Sequence, residues 1–270
     1  MFGMEKKVYE QILFLKENFR LEALKAEFEA EGSSFNDIVR LRRLTALAGV
    51  KLFLKIGGVE ALRDIKDSIE LGVDGIIAPM VESSFGLKKF IDACKSIYKE
   101  NRIKLSINIE TKNSVGQLEE ILMLGKGTID NITLGRTDLS ASFMDEKIKP
   151  DTKFIMDMIG YVGKRAKIEG YSFTVGGSIS SLSLEGFSQN PSVAYYIDCI
   201  ETRKVVLPKD AILAEGNALK EALCFEELYI LSKKEISDAL IEPELSRLEK
   251  LSERTGNPAE CAEKKLAYVS

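Results

Sequence analysis

Lys104-Leu105-Ser106-Ile107-Asn108-Ile109-Glu110 alternates apolar and polar residues over its whole length. Residues two apart on a strand share a face, so Leu105, Ile107 and Ile109 point one way and Ser106, Asn108 and Glu110 the other. Three other runs repeat the pattern. Near Ala23 to Glu29, Leu24, Ala26 and Phe28 oppose Lys25, Glu27 and Glu29. Near Lys51 to Ile56, Leu52, Leu54 and Ile56 oppose Lys51, Phe53 and Lys55, and near Tyr171 to Val175, Phe173 and Val175 oppose Ser172 and Thr174.

Further β-prone runs lie near Gly75 to Ala78, Asn131 to Leu134, Ala194 to Ile197 and Thr202 to Leu207, which makes eight. Amphipathic helical stretches separate them. Repeated βα units wind a parallel sheet, and eight in about 250 residues predict a (β/α)8 TIM barrel. Ser34 with Asp37 three residues on reads as an N-cap with its acidic partner, and Gly49, Gly72 and Gly170 stand where left-handed C-caps are wanted. From Ala211 to about Arg254 the chain is helical in character, interrupted only by Pro243. The expected organisation is an N-terminal helix over 1–21, a barrel core over 22–215 and an extended C-terminal helical segment over 216–270. That segment completes the barrel, and its surplus length either packs on a partner subunit or folds back on its own barrel.

Helices cover the outside of such a barrel, so the apolar face of each strand turns outward and the polar face lines the interior. Lys25, Glu27, Glu29, Lys55 and Glu110 would then share the interior with either Glu201 and Arg203 or Thr202 and Lys204. Unpaired buried charges cost several kcal/mol each, so these must pair or hold an ion. The lower layers read as a structural ion-pair core. At the top, near Glu31, Lys55, Glu110 and Asp138, the same charges read as functional.

Glu110 ends its run, and Asp138 follows the next one in Ile132-Thr133-Leu134-Gly135-Arg136-Thr137-Asp138-Leu139-Ser140. Both therefore sit at the carboxyl ends of neighbouring strands, where barrels bind ligands. Two oxygen donors with neither histidine nor a cysteine pair beside them suit a hard cation, Mg²⁺ or Mn²⁺.

Composition narrows the rest. The 270 residues are 45% hydrophobic and 30% charged, with net charge −4 and no basic stripe, so nucleic acid and an anionic membrane are not expected partners. The charged opening from Met1 to Glu10 and the lack of a membrane-length apolar run suggest a cytoplasmic protein. Cys94, Cys199, Cys224 and Cys261 are widely spaced, which favours buried reduced thiols over a disulfide scaffold or zinc site. The chain contains no histidine, which removes the commonest general base.

Ile109-Glu110-Thr111, Leu118-Glu119-Glu120-Ile121 and Leu134-Gly135-Arg136-Thr137-Asp138-Leu139-Ser140 together resemble the HpcH/HpaI aldolase and citrate lyase β-subunit family, relatives of the pyruvate kinase barrel. Gly72-Val73-Asp74-Gly75-Ile76-Ile77-Ala78-Pro79-Met80-Val81-Glu82 adds to the likeness, which spans roughly residues 22 to 180. The resemblance implies a divalent metal on Glu110 and Asp138 that chelates a small 2-oxo acid such as pyruvate or oxaloacetate. It implies carbon–carbon lyase or aldolase chemistry through an enolate, with backbone amides around Gly135 to Asp138 cradling the substrate carboxylate.

The chain departs from the family in two places. Leu54-Lys55-Ile56-Gly57-Gly58 has lysine where the family carries arginine, and no histidine exists for the family's proton relay. Lysine offers a point charge instead of a bidentate fork. Proton transfer then falls to metal-bound water, to Lys55, or to Glu29 or Glu31. Substrate contacts are expected from Lys25, Gly135 and Thr137, and Arg136 either reaches the substrate or pairs with a loop acid. Gly177 and Ser178, in Val175-Gly176-Gly177-Ser178-Ile179-Ser180, either offer amide and hydroxyl donors to an anion or reverse the chain.

Three other readings compete. A citrate lyase β-like enzyme would act on an acyl-CoA thioester, although no basic patch for the nucleotide stands out. A glycoside hydrolase also uses two strand-end carboxylates, but the chain has no tryptophan for a sugar platform. A catalytically silent barrel would bind a metabolite or partner. The leading expectation remains a metal-dependent lyase or aldolase for a small-molecule 2-oxo acid, working as a homo-oligomer.

Overall fold

A computed structural model describes residues 3–28, 30–214 and 216–255. Among these, eight strands close into one barrel in sequential order: β1 (Ala23–Glu27), β2 (Lys51–Lys55), β3 (Gly75–Ala78), β4 (Lys104–Ile109), β5 (Asn131–Gly135), β6 (Ser172–Gly176), β7 (Cys199–Glu201) and β8 (Val205–Pro208). The helices before β4 are α1 (Gly3–Phe19), α2 (Phe35–Ala48), α3 (Leu62–Leu71) and α4 (Ser84–Tyr98). After it come α5 (Lys112–Gly116), α6 (Leu118–Gly125), α7 (Arg136–Ala141), α8 (Lys153–Ile168), α9 (Ser181–Gln189), α10 (Pro191–Ala194), α11 (Lys209–Ala214) and α12 (Ala218–Thr255).

The two-residue alternation sorts the side chains as expected. Leu24, Leu52, Leu54, Ile107, Ile109, Phe173 and Val175 are buried, with α2 and α8 packed on β2 and β6. Each large aliphatic or aromatic side chain buried in this layer contributes about 1.5–3 kcal/mol. The opposite set faces the interior, where parallel register aligns Glu27 with Lys55, Asn108 with Thr133 and Thr133 with Thr174.

Low in the interior neutral polar groups bond one another, and Lys51 pairs with Glu22 at 2.5 Å below them. Asn131 Nδ2 donates to Ser106 Oγ at 2.8 Å and Thr133 Oγ1 at 3.0 Å, and Thr174 Oγ1 donates to Asn131 Oδ1 at 3.0 Å. Higher up the charges pair: Lys25 bonds Glu201, and Lys55 lies 3.5 Å from Glu27.

The helix signals hold in detail. Ser34 and Asp37 form a reciprocal capping box at the start of α2, and Gly49 and Gly72 close α2 and α3 in the left-handed conformation.

The last quarter of the barrel departs from repeated βα units. Ala194 to Ile197, expected as a strand, instead contains the end of α10 and the turn after it, and β7 begins at Cys199. β8 runs antiparallel to both β7 and β1. Only Thr202, Arg203 and Lys204 lie between β7 and β8. A parallel return needs a crossover of a dozen or more residues, so the chain must reverse as a hairpin. Because β7 is parallel to the strands before it, this hairpin lies at the end of the barrel that carries Glu110.

The helical run expected from Ala211 is divided, since α11 ends at Ala214 and α12 starts at Ala218. α12 then continues for 38 residues through Pro243, a length of about 57 Å at about 1.5 Å per residue. Contacts divide the chain into two units. The barrel lies in Tyr9–Glu226. In the other unit, made of the described residues before 9 and after 226, the Met4 N–H donates to the Glu235 carboxylate at 2.8 Å. No helix among the described residues is long and apolar enough to cross a membrane.

Cys94 and Cys199 are free thiols, Cys224 forms no disulfide among the described residues, and Cys261 lies outside them. Burial pushes the Cys94 and Cys199 thiols up to about 12, with the nearby acids Glu22, Asp198 and Glu201 adding to the effect at Cys199. Because the thiolate is the reactive form, iodoacetamide at pH 8 should leave both unmodified in the native protein and alkylate both in guanidinium. Rapid native labelling of Cys94, read by peptide mass mapping, would contradict this packing.

Candidate active site

A cavity of about 430 Å³ opens at the carboxyl ends of the strands. Lys25 and Glu27 reach it from β1, Lys55 from β2, Asn108 and Glu110 from the end of β4, Gly135, Thr137 and Asp138 from the β5–α7 turn, and Gly177 and Ser178 from the loop after β6. Glu201, Thr202 and Arg203 complete it with Leu223 and Glu226 of α12.

Glu110 is 3% exposed. Its Oε1 accepts the Met80 N–H at 2.9 Å and its Oε2 accepts Asn108 Nδ2 at 3.1 Å. Burial nevertheless holds its carboxyl above the usual range, against the Met80 amide and Lys55, and the charge on Asp138 adds to the rise. Lys55 shows the converse balance. Burial disfavours its charge, but Glu110, Glu27 and Asp138 together raise its pKa above the ordinary lysine value. Lys55 is therefore a cation at neutral pH, suited to stabilise a developing anion or to donate a proton.

Among the lining residues are five acids, Glu27, Glu110, Asp138, Glu201 and Glu226, against three cations, Lys25, Lys55 and Arg203. That imbalance favours a divalent cation, and the donor set fits one. Glu110 and Asp138 are hard oxygen donors, and Asn108 Oδ1 beside them is buried without a hydrogen-bond partner. Position 135 makes the cradle possible, because a Cβ there would stand 2.6 Å from Glu110 Oε2 and 3.0 Å from Glu110 Cβ. No group of three or more acidic or sulfur ligands occurs among the described residues. A metal here would thus take its remaining ligands from water and substrate.

Arg136 lies elsewhere. Its side chain is wholly buried and is absent from the cavity wall. Its Nη1 bonds Asp151 at 2.6 Å, its Nη2 donates to the Gly177 carbonyl at 2.7 Å and Ser183 Oγ at 3.0 Å, and its Nε donates to the Gly176 carbonyl at 3.3 Å. The guanidinium also lies 5.6 Å from the Phe187 ring centroid. Of the two roles expected for it, the structure contains the pairing with a loop acid. Arg136 ties the β5–α7 turn to the loop after β6, and that tie is close: a Cβ at position 177 would meet Thr137 N at 2.6 Å, where φ is +84°. Thr137 Oγ1 and Ser178 Oγ stand 2.9 Å apart across the junction.

Glu31 is not in the cavity wall either. It pairs with Lys204 and Ser33, while Glu29 lies outside the described residues. Conversely, Glu27, Asn108, Glu201, Thr202 and Arg203, read from sequence only as polar-face or interior residues, line the cavity, and so does Glu226, which the sequence did not single out. Strand parity places Glu27 and Asn108 on the inward face without giving either a role at the site. Nothing local marks Glu226, which comes from a helix distant in sequence.

A closed α/β barrel with two strand-end carboxylates and a lysine in one cavity defines a class of barrel enzyme. The chain belongs to the HpcH/HpaI aldolase/citrate lyase family, whose pattern matches residues 36–176, a little over half of it. That membership supports a lyase or aldolase kind of function, in a family whose members generally depend on a divalent metal. Three solved structures share the fold. An HpcH/HpaI aldolase from Desulfitobacterium hafniense DCB-2 is 15% identical with TM-score 0.58, covering 82% of this chain and 88% of its own. An HpcH/HpaI aldolase/citrate lyase family protein from Burkholderia cenocepacia J2315 is 13% identical with TM-score 0.57, covering 73% and 82%. A variant of the citrate synthase SbnG is 16% identical with TM-score 0.55, covering 72% and 81%. No curated protein matches the chain.

Two substitutions separate the cradle from the clamp. Gly135→Ala should displace Glu110 and weaken Mn²⁺ binding at least tenfold in calorimetry, and unchanged binding would show that Glu110 does not need this space. Arg136→Met leaves Asp151 and two loop carbonyls without their donor and should cost about 3 kcal/mol in urea unfolding. A loss below about 0.5 kcal/mol, the usual size of a surface substitution, would remove the clamp from the account.

Proposed function

We propose that this protein is a metal-dependent carbon–carbon lyase or aldolase acting on a small 2-oxo acid, such as a pyruvate or oxaloacetate adduct. The observation that carries the reading is the gathering of Glu110, Asp138 and a charged Lys55 in one strand-end cavity. Glu110 and Asp138 would hold Mg²⁺ or Mn²⁺, which when bound supplies Lewis-acid polarisation of the keto and carboxylate oxygens.

The side chains divide the remaining work. Lys55 holds its proton, stabilises the negative charge that develops on the enolate as the carbon–carbon bond breaks, and can return a proton to the enolate carbon. Glu27, 3.5 Å from Lys55, orients the ammonium and is the lining acid placed to take the hydroxyl proton lost in an aldol cleavage. Asn108 and the Met80 amide fix Glu110, and Thr137 and Ser178 offer hydroxyls to the substrate carboxylate. Lys25, bonded to Glu201, fills out the floor. Glu31, held by Lys204 and absent from the cavity wall, takes no part in proton transfer in this reading, and Glu29 lies outside the described residues.

The proposal extends to organisation. Residues 22–215 would form the barrel core and 216–270 a helical segment that associates with another copy of the chain. Exposed Leu240, Ile241, Leu245 and Leu248 on α12 support such a homo-oligomer.

Calorimetry of chelator-stripped protein tests the chemistry. Oxalate, a mimic of the pyruvate enolate, should bind only when Mg²⁺ or Mn²⁺ is present, and Glu110→Gln or Asp138→Asn should each reduce that binding at least tenfold. Oxalate binding that ignores the metal, or that survives both substitutions, would rule out the reading.

A further inference from the structure

The barrel holds a second cavity, of about 240 Å³, at the opposite end from Glu110. Its rim carries Glu22, Lys104, Asp130 and Asp198, each at or just before the start of a strand, which places it at the amino ends. Barrels of this class ordinarily fill that space with layers of bulky branched side chains. Here parallel register brings Phe53, Gly75 and Lys104 level, and Ser106, Asn131 and Ser172 level above them. Phe53 packs over Gly75, where a Cβ would stand 2.8 Å from Phe53 Cδ1, and Lys104 is exposed to solvent. The small side chains of the next level leave the interior hollow.

The acids that line this cavity are already matched. Glu22 pairs with Lys51, Asp130 with Arg102, Asp198 with Lys167 and Glu201 with Lys25. Asp130 and Asp198 also accept the Leu105 and Phe173 N–H groups, at 2.9 and 2.8 Å. A further ion buried among completed pairs would lose its hydration and gain no partner.

The neutral groups are not so complete. Asn131 gives one Nδ2 hydrogen to Ser106 Oγ and the other to Thr133 Oγ1, and its Oδ1 takes the Thr174 hydroxyl proton. Each hydroxyl has one proton of its own to donate. Those of Ser106 and Thr133 meet no acceptor among the described residues, although both side chains are buried. Two O–H donors thus remain on side chains that line a cavity walled elsewhere by Phe53, Ile77 and Val206. Apolar walls with a few polar groups to fix orientation are the usual make-up of a small-molecule site.

We propose that this cavity is a second ligand site, for a compact uncharged molecule with a ring-sized apolar body and one hydrogen-bond acceptor such as a carbonyl oxygen. The acceptor takes the Ser106 and Thr133 hydroxyl protons, and the body lies against Phe53 and Val206. An apolar cavity of about 150 Å³ admits a benzene-sized molecule, so about 240 Å³ admits a ring with its carbonyl. Ile77, Thr133 and Glu201 line both this cavity and the upper one, so the occupant would touch side chains that also form the active cavity. The site stands whether or not the upper cavity binds a metal.

Methyl NMR on the full chain, with cyclohexanone as the probe, tests the site. Titration should shift the Val206 and Thr174 methyls saturably, since both line the lower cavity and not the upper, and leave those of Thr137 and Leu223 in the upper one unmoved. Cyclohexylammonium and cyclohexanecarboxylate, the same ring carrying a charge, should bind at least tenfold more weakly. Ser106→Ala should weaken cyclohexanone binding at least threefold while the Thr137 and Leu223 methyls keep their native positions. Ser106→Leu should abolish binding by filling the space, and if that variant does not fold, Ser106→Ala decides. Absence of a saturable shift at Val206 and Thr174, the result for a cavity that holds water only, overturns the proposal, as do shifts confined to Thr137 and Leu223. Equal binding of either charged ring, or cyclohexanone affinity unchanged in Ser106→Ala, overturns the ligand chemistry.

Discussion

Charge inside a closed barrel has to be neutralised, and the architecture of this mouth follows from how that demand is met. Lys25 with Glu201 and Lys55 with Glu27 join charges across the interior, and Lys204 does the same for Glu31 at the rim. Among the described residues no lysine bonds Glu110. It is held by an amide N–H and the Asn108 side chain, and burial raises its pKa. A cavity with five acids and three cations is a poor place for an empty carboxylate and a good one for a divalent ion.

Part of the precision at that site comes from outside the cavity. Arg136 is the clearest case: fully buried, it bonds Asp151, Ser183 and two successive carbonyls of the loop after β6. Only glycine at 177 permits the resulting approach to Thr137, and only glycine at 135 leaves room for Glu110. An acid, a serine–threonine contact and a loop are thus aligned by one guanidinium and two missing side chains. Catalytic geometry generally depends on such supporting contacts.

The fold was legible because the strands are short and four of them, β1, β2, β4 and β6, alternate in a two-residue pattern. Ser106, Asn108 and Glu110 must share a face if Leu105, Ile107 and Ile109 share the other, and helices outside the sheet decide which face turns inward. Glu110 and Asp138 could be placed at strand ends for the same reason. Ala194 to Ile197 misled because an apolar run of four residues reads equally as helix end or strand, and the proline at 191 starts a short helix there. The direction of β8 follows from the three-residue connection 202–204, which the sequence reading hid by placing the preceding strand at 194–197, since the length of a link limits what it can span.

Local sequence therefore determined the barrel, its polar interior and the positions of its two strand-end acids, because those depend on periodicity and on chain connections a few residues long. Tertiary structure alone decided that Arg136 turns away from the cavity, that Glu226 enters it, and that Arg203 lines it with no acid partner among the described residues. Such outcomes depend on which distant groups meet. Asp151, Ser183 and the carbonyls of 176 and 177 reach Arg136 only after the barrel closes, and no pattern within a single strand or helix contains that information.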